Sequence, residues 1–179
     1  MKKIRVPGED GPRPLGHSSA AFLLAQVGAH AASQFAQRLA KLQLAPRHAG
    51  ILRILNSSPA ITQQTLAATL GMVPSQLVVV LDEMEERELI ERRANPDDRR
   101  SYALHITEKG RSTLQAIGGV AREHSQALLA ALSEEERRQL CDLLQRVADQ
   151  QELQRGVHPG YRSHLRTDPA GDATVRDGR

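Results

Sequence analysis

Apolar residues recur every three or four positions over most of the chain, which is the period of an amphipathic helix. After a capping serine at Ser18 or Ser19, this spacing predicts a long first helix with its apolar positions at Leu24, Val27, Ala31, Phe35, Leu39 and Leu42. Pro46 predicts the start of a second helix, with Ala49, Leu52 and Leu55 on one face and an end at residues 56–59. The chain is therefore expected to begin with two helices.

Two shorter helices are predicted next. Thr62 is a typical capping residue for a helix that runs to Gly71, a glycine of the kind found just past helix ends. Pro74 then predicts the first turn of a fourth helix, which extends to about Arg87. Because only a short turn separates them, these helices are predicted to form a helix-turn-helix.

The period then changes to that of strands. Residues 89–93 and 101–106 are predicted to pair as a hairpin across residues 94–100, with Tyr102, Leu104 and Ile106 pointing inward. Thr107 predicts the start of a fifth helix, whose apolar stripe is Leu114, Ile117, Ala121, Leu128 and Ala131. Ser133 and Glu136 form a capping box for a sixth helix, whose apolar positions are Leu140, Leu143, Leu144 and Val147.

A helix-turn-helix followed by a hairpin with basic ends suits duplex DNA. A helix fits the major groove, where each base pair presents a distinct pattern of donors and acceptors, and a thin hairpin can reach the adjacent minor groove. The chain resembles the MarR family of bacterial transcription regulators over about residues 20–150. The motifs that carry this resemblance are Leu66–Gly71, Ser75-Gln76, Leu81–Arg87, Leu89–Arg93, Asp97–Ser101 and Leu104–Gly110.

The resemblance implies a mainly α (α+β) fold, in which a winged helix-turn-helix is joined to a helical dimerisation region. The apolar stripes of the first, fifth and sixth helices independently favour a homodimer, because no sheet of the same chain is expected to cover them. Two-fold symmetry then predicts a pseudo-palindromic DNA operator. The expected organisation is an N-terminal tail, a dimerisation helix, a DNA-binding lobe, further dimerisation helices and a C-terminal tail, at residues 1–16, 17–45, 46–106, 107–155 and 156–179.

Candidate DNA contacts fall into three groups. The start of the fourth helix is expected to read bases, with Gln76 suited to adenine, whereas the start of the third helix is expected to bind phosphate. The family often has threonine and a basic residue where this chain has two valines, which could contact thymine methyl groups or face protein. These candidates are Pro74, Ser75, Gln76, Val78 and Val79 for bases, and Thr62, Gln63 and Gln64 for phosphate.

The hairpin supplies the third group. The resemblance implies that Arg100 enters the minor groove, with Asp98 bracing the tip and Arg99 beside it, while Arg92 and Arg93 meet phosphates. The alternative is a solvated hairpin tip held by its own ion pairs. Glu88 stands where the family usually has glycine, so a left-handed backbone there would cost about 1 kcal/mol and the turn is expected to differ.

Composition narrows the possible functions. The 179 residues carry a net charge of +3 and only 2% aromatic residues, too few rings for recognition by base stacking. A single cysteine excludes an intrachain disulfide, and the absence of a signal peptide or a membrane-length apolar run favours a cytoplasmic protein. Cys141 is expected to pack in the core or at an interface. The histidine spacing does not favour a metal site.

No sequence motif for a catalytic nucleophile, a nucleotide or a cofactor is found, so an enzyme is not expected. Relatives in the family often release DNA on binding a small aromatic acid, and the corresponding candidates here are Phe22, His30, Arg47 and His48, for each of which ordinary packing or surface exposure is the alternative. The competing function is a winged-helix module that binds protein without sequence-specific DNA binding. Phosphate contacts would make DNA affinity fall steeply with salt, which separates the two.

Overall fold

The computed structural model describes residues 19–94 and 102–158. Six helices and three short strands occur in this part of the chain. The helices are α1 (Ala20–Ala40), α2 (Pro46–Ser57), α3 (Gln63–Leu70), α4 (Pro74–Glu86), α5 (Glu108–Leu128) and α6 (Glu134–Gln150). The strands are β1 (Ile61–Thr62), β2 (Ile90–Ala94) and β3 (Tyr102–Ile106).

The predicted helix starts are confirmed. Ser19, Thr62, Thr107 and Ser133 each accept a hydrogen bond from the backbone N–H three residues ahead, and Ser133 and Glu136 complete the capping box. Pro46 and Pro74 occupy the first turns of α2 and α4. These ends are correctly predicted because a cap satisfies backbone groups within a few residues of itself.

The sheet differs from the prediction in two respects. Its order is β1-β3-β2, because Ile61 and Thr62 add a short antiparallel strand that the helical pattern around them concealed. Tyr102 is 61% exposed, so the expectation that it points inward is wrong. It pairs with Ala94 at the far end of the hairpin, whereas Leu104 pairs with Ile61 and is fully buried. Burial therefore begins only where β1 joins the sheet.

The core lies between the helix-turn-helix, α2 and the sheet. Its fully buried side chains come from α2, α3, α4, β2 and β3 and from the end of α1. They are Leu39, Ile51, Leu52, Leu55, Leu66, Leu70, Leu77, Leu81, Met84, Ile90 and Leu104. This core fixes α4 and the base of the hairpin in one rigid unit.

The turn between α4 and β2 keeps a left-handed residue although no glycine is present. Glu88 has φ 58°, and its N–H donates to the Glu85 carbonyl at 2.8 Å while Leu89 N–H donates to the Met84 carbonyl at 2.9 Å. These two bonds form a Schellman motif, so the expectation of a different turn at Glu88 is wrong. Thr107 Oγ1 donates to the Glu88 carbonyl at 2.6 Å and helps to hold the residue there.

The C-terminal helices leave much apolar surface uncovered. α5 ends at Leu128, so the predicted stripe does not extend to Ala131 within that helix. No residue of α6 is buried, and Leu143, Leu144 and Val147 are 55%, 39% and 46% exposed.

Beyond α6, the chain returns to the lobe. Gly156, Val157 and His158 line one cavity together with Arg53 of α2, and a Cβ at Gly156 would lie 2.7 Å from Arg53 Nη1.

Candidate nucleic-acid interface

The helix-turn-helix has the geometry that DNA-binding units use. α3 and α4 meet at 112° across Gly71, Met72 and Val73, within the range of about 90–120° typical of this motif. Gly71 has φ 64°, the left-handed conformation that lets the chain reverse directly after α3. No single helix among the described residues is long and apolar enough to cross a membrane. Of the described helices, only α3 and α4 taken together, bent as they are, have the necessary length and composition.

The outer face of α4 is defined by exposure. Leu77, Val80 and Leu81 are buried in the core, while Ser75 and Val79 face outward. Val79 is 68% exposed, the largest value for any large apolar side chain in the described residues. Val78 is half-buried, so the structure separates the two valines: Val79 projects to solvent and Val78 is partly packed.

The other predicted residues of the two helices lie close by. Pro74 is exposed and Gln76 is half-buried at the first turn of α4. At the start of α3, Gln64 is exposed and Gln63 is half-buried. Thr62 Oγ1 accepts from Thr65 N at 3.2 Å and contacts Thr65 Oγ1 at 2.9 Å, so one of the helix-start amides is already satisfied within the chain.

The hairpin base places its two arginines in different surroundings. Arg92 Nη2 donates to Asp82 Oδ1 at 2.6 Å, and its Nη1 is paired with Glu85 Oε2, so the guanidinium joins β2 to α4. The Arg92 side chain is only 18% exposed, and although burial opposes its charge, the hydrogen bonds with Asp82 and Glu85 raise its pKa above the usual value. This environment favours a bracing role over the phosphate contact expected for Arg92.

Arg93 remains at the surface. Its side chain is 61% exposed and its Nη2 pairs with Glu91 Oε1 at 2.5 Å, an exposed ion pair that contributes little to stability.

The hairpin tip, with Asp98, Arg99 and Arg100, lies outside the described residues. The two carboxylates that hold Arg92 were not singled out from the sequence. Asp82 and Glu85 lie three residues apart on one face of α4. This spacing predicts an arginine partner only once α4 and β2 are known to be adjacent.

The four predicted ligand contacts do not form one site. Phe22 is 46% exposed near the start of α1, and His30 lines a cleft between α1 and α5. Arg47 and His48 lie on α2 and both approach Glu83 of α4, at 3.8 Å and 3.5 Å.

His48 is a core residue. It is 2% exposed, and its Nδ1 accepts a hydrogen bond from Ala45 N at 3.0 Å, which caps the start of α2. Burial lowers the pKa of His48, the neighbouring Arg47 and Arg87 lower it further, and Glu83 opposes them. A neutral ring that accepts through Nδ1 carries its proton on Nε2, which faces Glu83. The residue therefore supports the contact between α2 and α4.

A different cavity lies between the DNA-binding lobe and the long helices. Its volume is about 510 Å³, and its walls come from α1, α2, α5 and the returning chain at residues 156–158. Phe35, Leu114 and Ile117 supply apolar walls, and Arg53 supplies a cation. None of the four predicted ligand residues lines it. Sequence periodicity could not reveal this cavity, because it depends on how three helices are spaced.

Two exposed apolar faces lie away from the helix-turn-helix. One is the start of α1, where Phe22, Leu23, Leu24 and Val27 are 44% to 48% exposed. The other is the apolar side of α6 with Leu143, Leu144 and Val147. Cys141 on α6 is exposed in the single chain, so of the two expected environments, core or interface, only the interface remains as a prediction. Among residues 19–94 and 102–158, no cluster of three or more histidine, cysteine or acidic residues could hold a metal ion.

The proteins that this chain is similar to include transcription regulators. The family model described as "MarR family" matches residues 44–102. A "putative transcriptional regulatory protein for hcr operon" of Thauera aromatica is 33% identical over 153 residues, which cover 82% of this chain and 92% of that protein.

Two solved structures are also similar. The transcriptional repressor CouR bound to a 23-mer DNA duplex is 31% identical, with a TM-score of 0.64 over 73% of this chain and 92% of that chain. A Mycobacterium tuberculosis MarR-family protein in complex with salicylic acid is 25% identical, with a TM-score of 0.60 over 74% of this chain and 98% of that one.

The fold and these relatives define the class of protein: it is a winged-helix, DNA-binding transcription regulator and not an enzyme. The chain belongs to the MarR family. The fold class and family expected from the sequence are thereby confirmed.

Proposed function

We propose that this protein is a homodimeric repressor that binds a pseudo-palindromic operator through α4 and the hairpin. The observation that carries the proposal is the outward face at the start of α4, where Ser75 and the 68% exposed Val79 lie beside one another on a helix held rigidly by the core. In the major groove, Val79 would contact thymine methyl groups and Ser75 would hydrogen-bond to bases or phosphate. Arg100 would supply the minor-groove contact.

The dimer part of the proposal rests on the uncovered apolar faces of α1 and α6. α6 is strongly amphipathic and has no buried residue. A partner that covered its apolar side would stabilise the assembly, because each Å² of apolar surface removed from water contributes about 25 cal/mol of free energy. A second copy of the chain is the simplest occupant, because a two-fold axis brings the same faces of two identical chains together. Cys141 would then lie near that interface.

The regulatory part of the proposal concerns the 510 Å³ cavity. We propose that a small aromatic acid enters it, with its ring against Phe35 and Ile117 and its carboxylate near Arg53. The related M. tuberculosis protein in complex with salicylic acid supports this ligand class. A ligand between α2 and the long helices would favour one spacing of the lobe against the dimer helices, and so would shift the population away from the DNA-binding spacing.

Fluorescence anisotropy with labelled promoter DNA tests the DNA-binding proposal. We expect specific binding whose affinity falls steeply as salt rises, because each phosphate contact releases counterions. Arg100→Ala should weaken binding by about 1–3 kcal/mol and Gln76→Ala should relax preference at one base position of each half-site. Affinity that does not respond to salt, or that survives both substitutions, would instead favour a protein-binding module.

Salicylate titration tests the regulatory proposal separately. We expect salicylate to release the labelled DNA from the unmodified protein and to do so less effectively from Arg53→Gln. Arg47→Gln provides the matched control, because Arg47 lies on the same helix but contacts Glu83 and does not line the cavity. Equal release from both variants would contradict the assigned cavity while leaving the DNA-binding proposal intact.

A further inference from the structure

A second cleft lies between α1 and α5, apart from the cavity proposed for an aromatic acid. Its volume is about 250 Å³. The side chains that line it are His30, Gln34, Arg38, His124, Ala127 and Leu128. His30, Gln34 and Arg38 recur every four residues along α1, so they form one face of that helix, and His124 approaches them from α5.

The cleft holds the cation of Arg38 beside two histidines. Arg38 Nε is buried and has no hydrogen-bond partner within the described part of the chain. No aspartate or glutamate is among the residues that line the cleft. A guanidinium that is partly removed from water without an acceptor is costly, so this arrangement is stabilised by whatever anion supplies one.

The protonation of His124 depends on the charges in the cleft. Burial lowers the pKa of His124, and the neighbouring Arg38 and His30 lower it further. The His124 ring also contacts Phe35 at a centroid distance of 5.5 Å, which fixes its position at the wall of the cleft. An anion in the cleft would favour the protonated ring, because an opposite charge stabilises the charged form.

We propose that this cleft, formed by His30, Arg38 and His124 with Gln34, binds a compact oxyanion, either a carboxylate or a phosphate group. Arg38 supplies a planar donor fork of the kind that binds such groups in a bidentate manner. The two imidazoles and the Gln34 amide supply further donors. Ala127 and Leu128 close the cleft on the α5 side. The site is distinct from the cavity around Arg53, which shares none of these residues.

NMR of the histidine ring signals tests this site in the full-length protein. Inorganic phosphate and acetate are titrated separately, with sodium chloride adjusted to keep ionic strength constant, so that the two arms identify the preferred anion. We expect a saturable shift of the His124 signal with at least one of them. For acetate, whose charge is the same at both pH values, we expect tighter binding at pH 6 than at pH 8. A shift that grows linearly without saturation, or none at all, would overturn the proposal.

Two arginine variants complete the test. Arg38→Gln should weaken anion binding about tenfold or more, which corresponds to the loss of a charged hydrogen bond. Arg111→Gln is the matched control and should leave it unchanged, because Arg111 lies on α5 but lines neither this cleft nor the cavity around Arg53. Circular dichroism verifies that both variants fold. If Arg38→Gln raises the dimer dissociation constant and leaves anion binding unchanged, a carboxylate of a second copy occupies the cleft and the proposal is wrong.

Discussion

Arg92 Nη2 lies 2.6 Å from Asp82 Oδ1, a contact that joins the first strand of the hairpin to the helix proposed to enter the major groove. Glu85 completes the contact by accepting from the backbone N–H of Arg92 at 3.0 Å. The two elements that we propose to contact DNA are therefore held in a fixed relation by one half-buried guanidinium. A salt bridge in this position matters for geometry more than for net stability.

The first prediction concerns the direction in which DNA affinity changes when two carboxylates of α4 are neutralised. Asp82→Asn combined with Glu85→Gln removes negative charge beside a DNA-binding surface, which by electrostatics alone would strengthen binding. We expect weaker operator binding, because the hairpin loses its fixed position relative to α4. Fluorescence anisotropy with labelled operator DNA measures the change in affinity.

Glu86→Gln is the matched control for that experiment. Glu86 is exposed on the same helix and has no role in holding Arg92, so its substitution should strengthen DNA binding slightly. If the Asp82/Glu85 variant also binds more tightly, Arg92 does not position the hairpin.

The second prediction distinguishes the two valines of α4. Val79→Ala should cost about 1 kcal/mol of DNA affinity per half-site, because the methyl groups it removes are the exposed ones. Val78→Ala should change DNA affinity less and thermal stability more, since Val78 is half-buried against the lobe. Operators that carry uracil in place of thymine provide a second measurement. The reverse order of effects would mean that α4 is rotated in the complex.

The third prediction concerns the left-handed residue after α4. Glu88→Gly should raise the free energy of unfolding by about 0.5–1 kcal/mol, because glycine adopts φ 58° without the steric cost that glutamate incurs. Urea unfolding measures the change. A loss of stability would show that the contact of Glu88 Oε2 with Lys109 Nζ, at 3.0 Å, outweighs the backbone strain.

The fourth prediction concerns Gly110 at the first turn of α5. A Cβ there would lie 2.0 Å from the Leu89 carbonyl oxygen, so Gly110→Ala must displace backbone and should destabilise the protein by about 1–3 kcal/mol. Gly119→Ala is the control, because its Cβ would meet nothing closer than Arg122 Nη2 at 3.9 Å. That substitution should be neutral or stabilising in a helix. Thermal unfolding of both variants provides the comparison.

The fifth prediction concerns pH. The pKa of buried His48 is lowered in the folded state, so the unfolded chain binds the proton more readily. Its contribution to stability is complete above about pH 6.5 and decreases as pH falls from that value toward the lowered pKa. Urea unfolding between pH 7.5 and 5 should show this loss.

His48→Leu isolates the contribution of this histidine, because His124, whose pKa is also lowered, stays in both proteins. The variant should lose less stability than the unmodified protein over the same pH interval. An equal loss in both would place the titrating group elsewhere.

Much of the local structure followed from the sequence. Ser19, Thr62, Thr107 and Ser133 act as caps where they were expected, since each needs only its own first turn. Strand β1 was missed because two residues carry no period, and its partner β3 lies about 40 positions further along the chain. Tyr102 was placed inward by alternation alone, which cannot tell how far a neighbouring strand extends.

The candidate site residues were also only partly predictable from the sequence. Val79 was named from the sequence, but only packing shows that it projects outward while Val78 does not. Arg92 was expected to meet phosphate from its place at the hairpin base, whereas the carboxylates that hold it, Asp82 and Glu85, come from another element.

The order of the six helices and of the hairpin, the helix starts and the family could be read from the sequence, because these depend on periodicity, caps and motifs within short stretches of chain. Only the folded chain shows which charges meet, which valine of α4 is exposed and where cavities lie. Those features depend on distances between segments that are remote in sequence, and such distances are set by how the whole core packs.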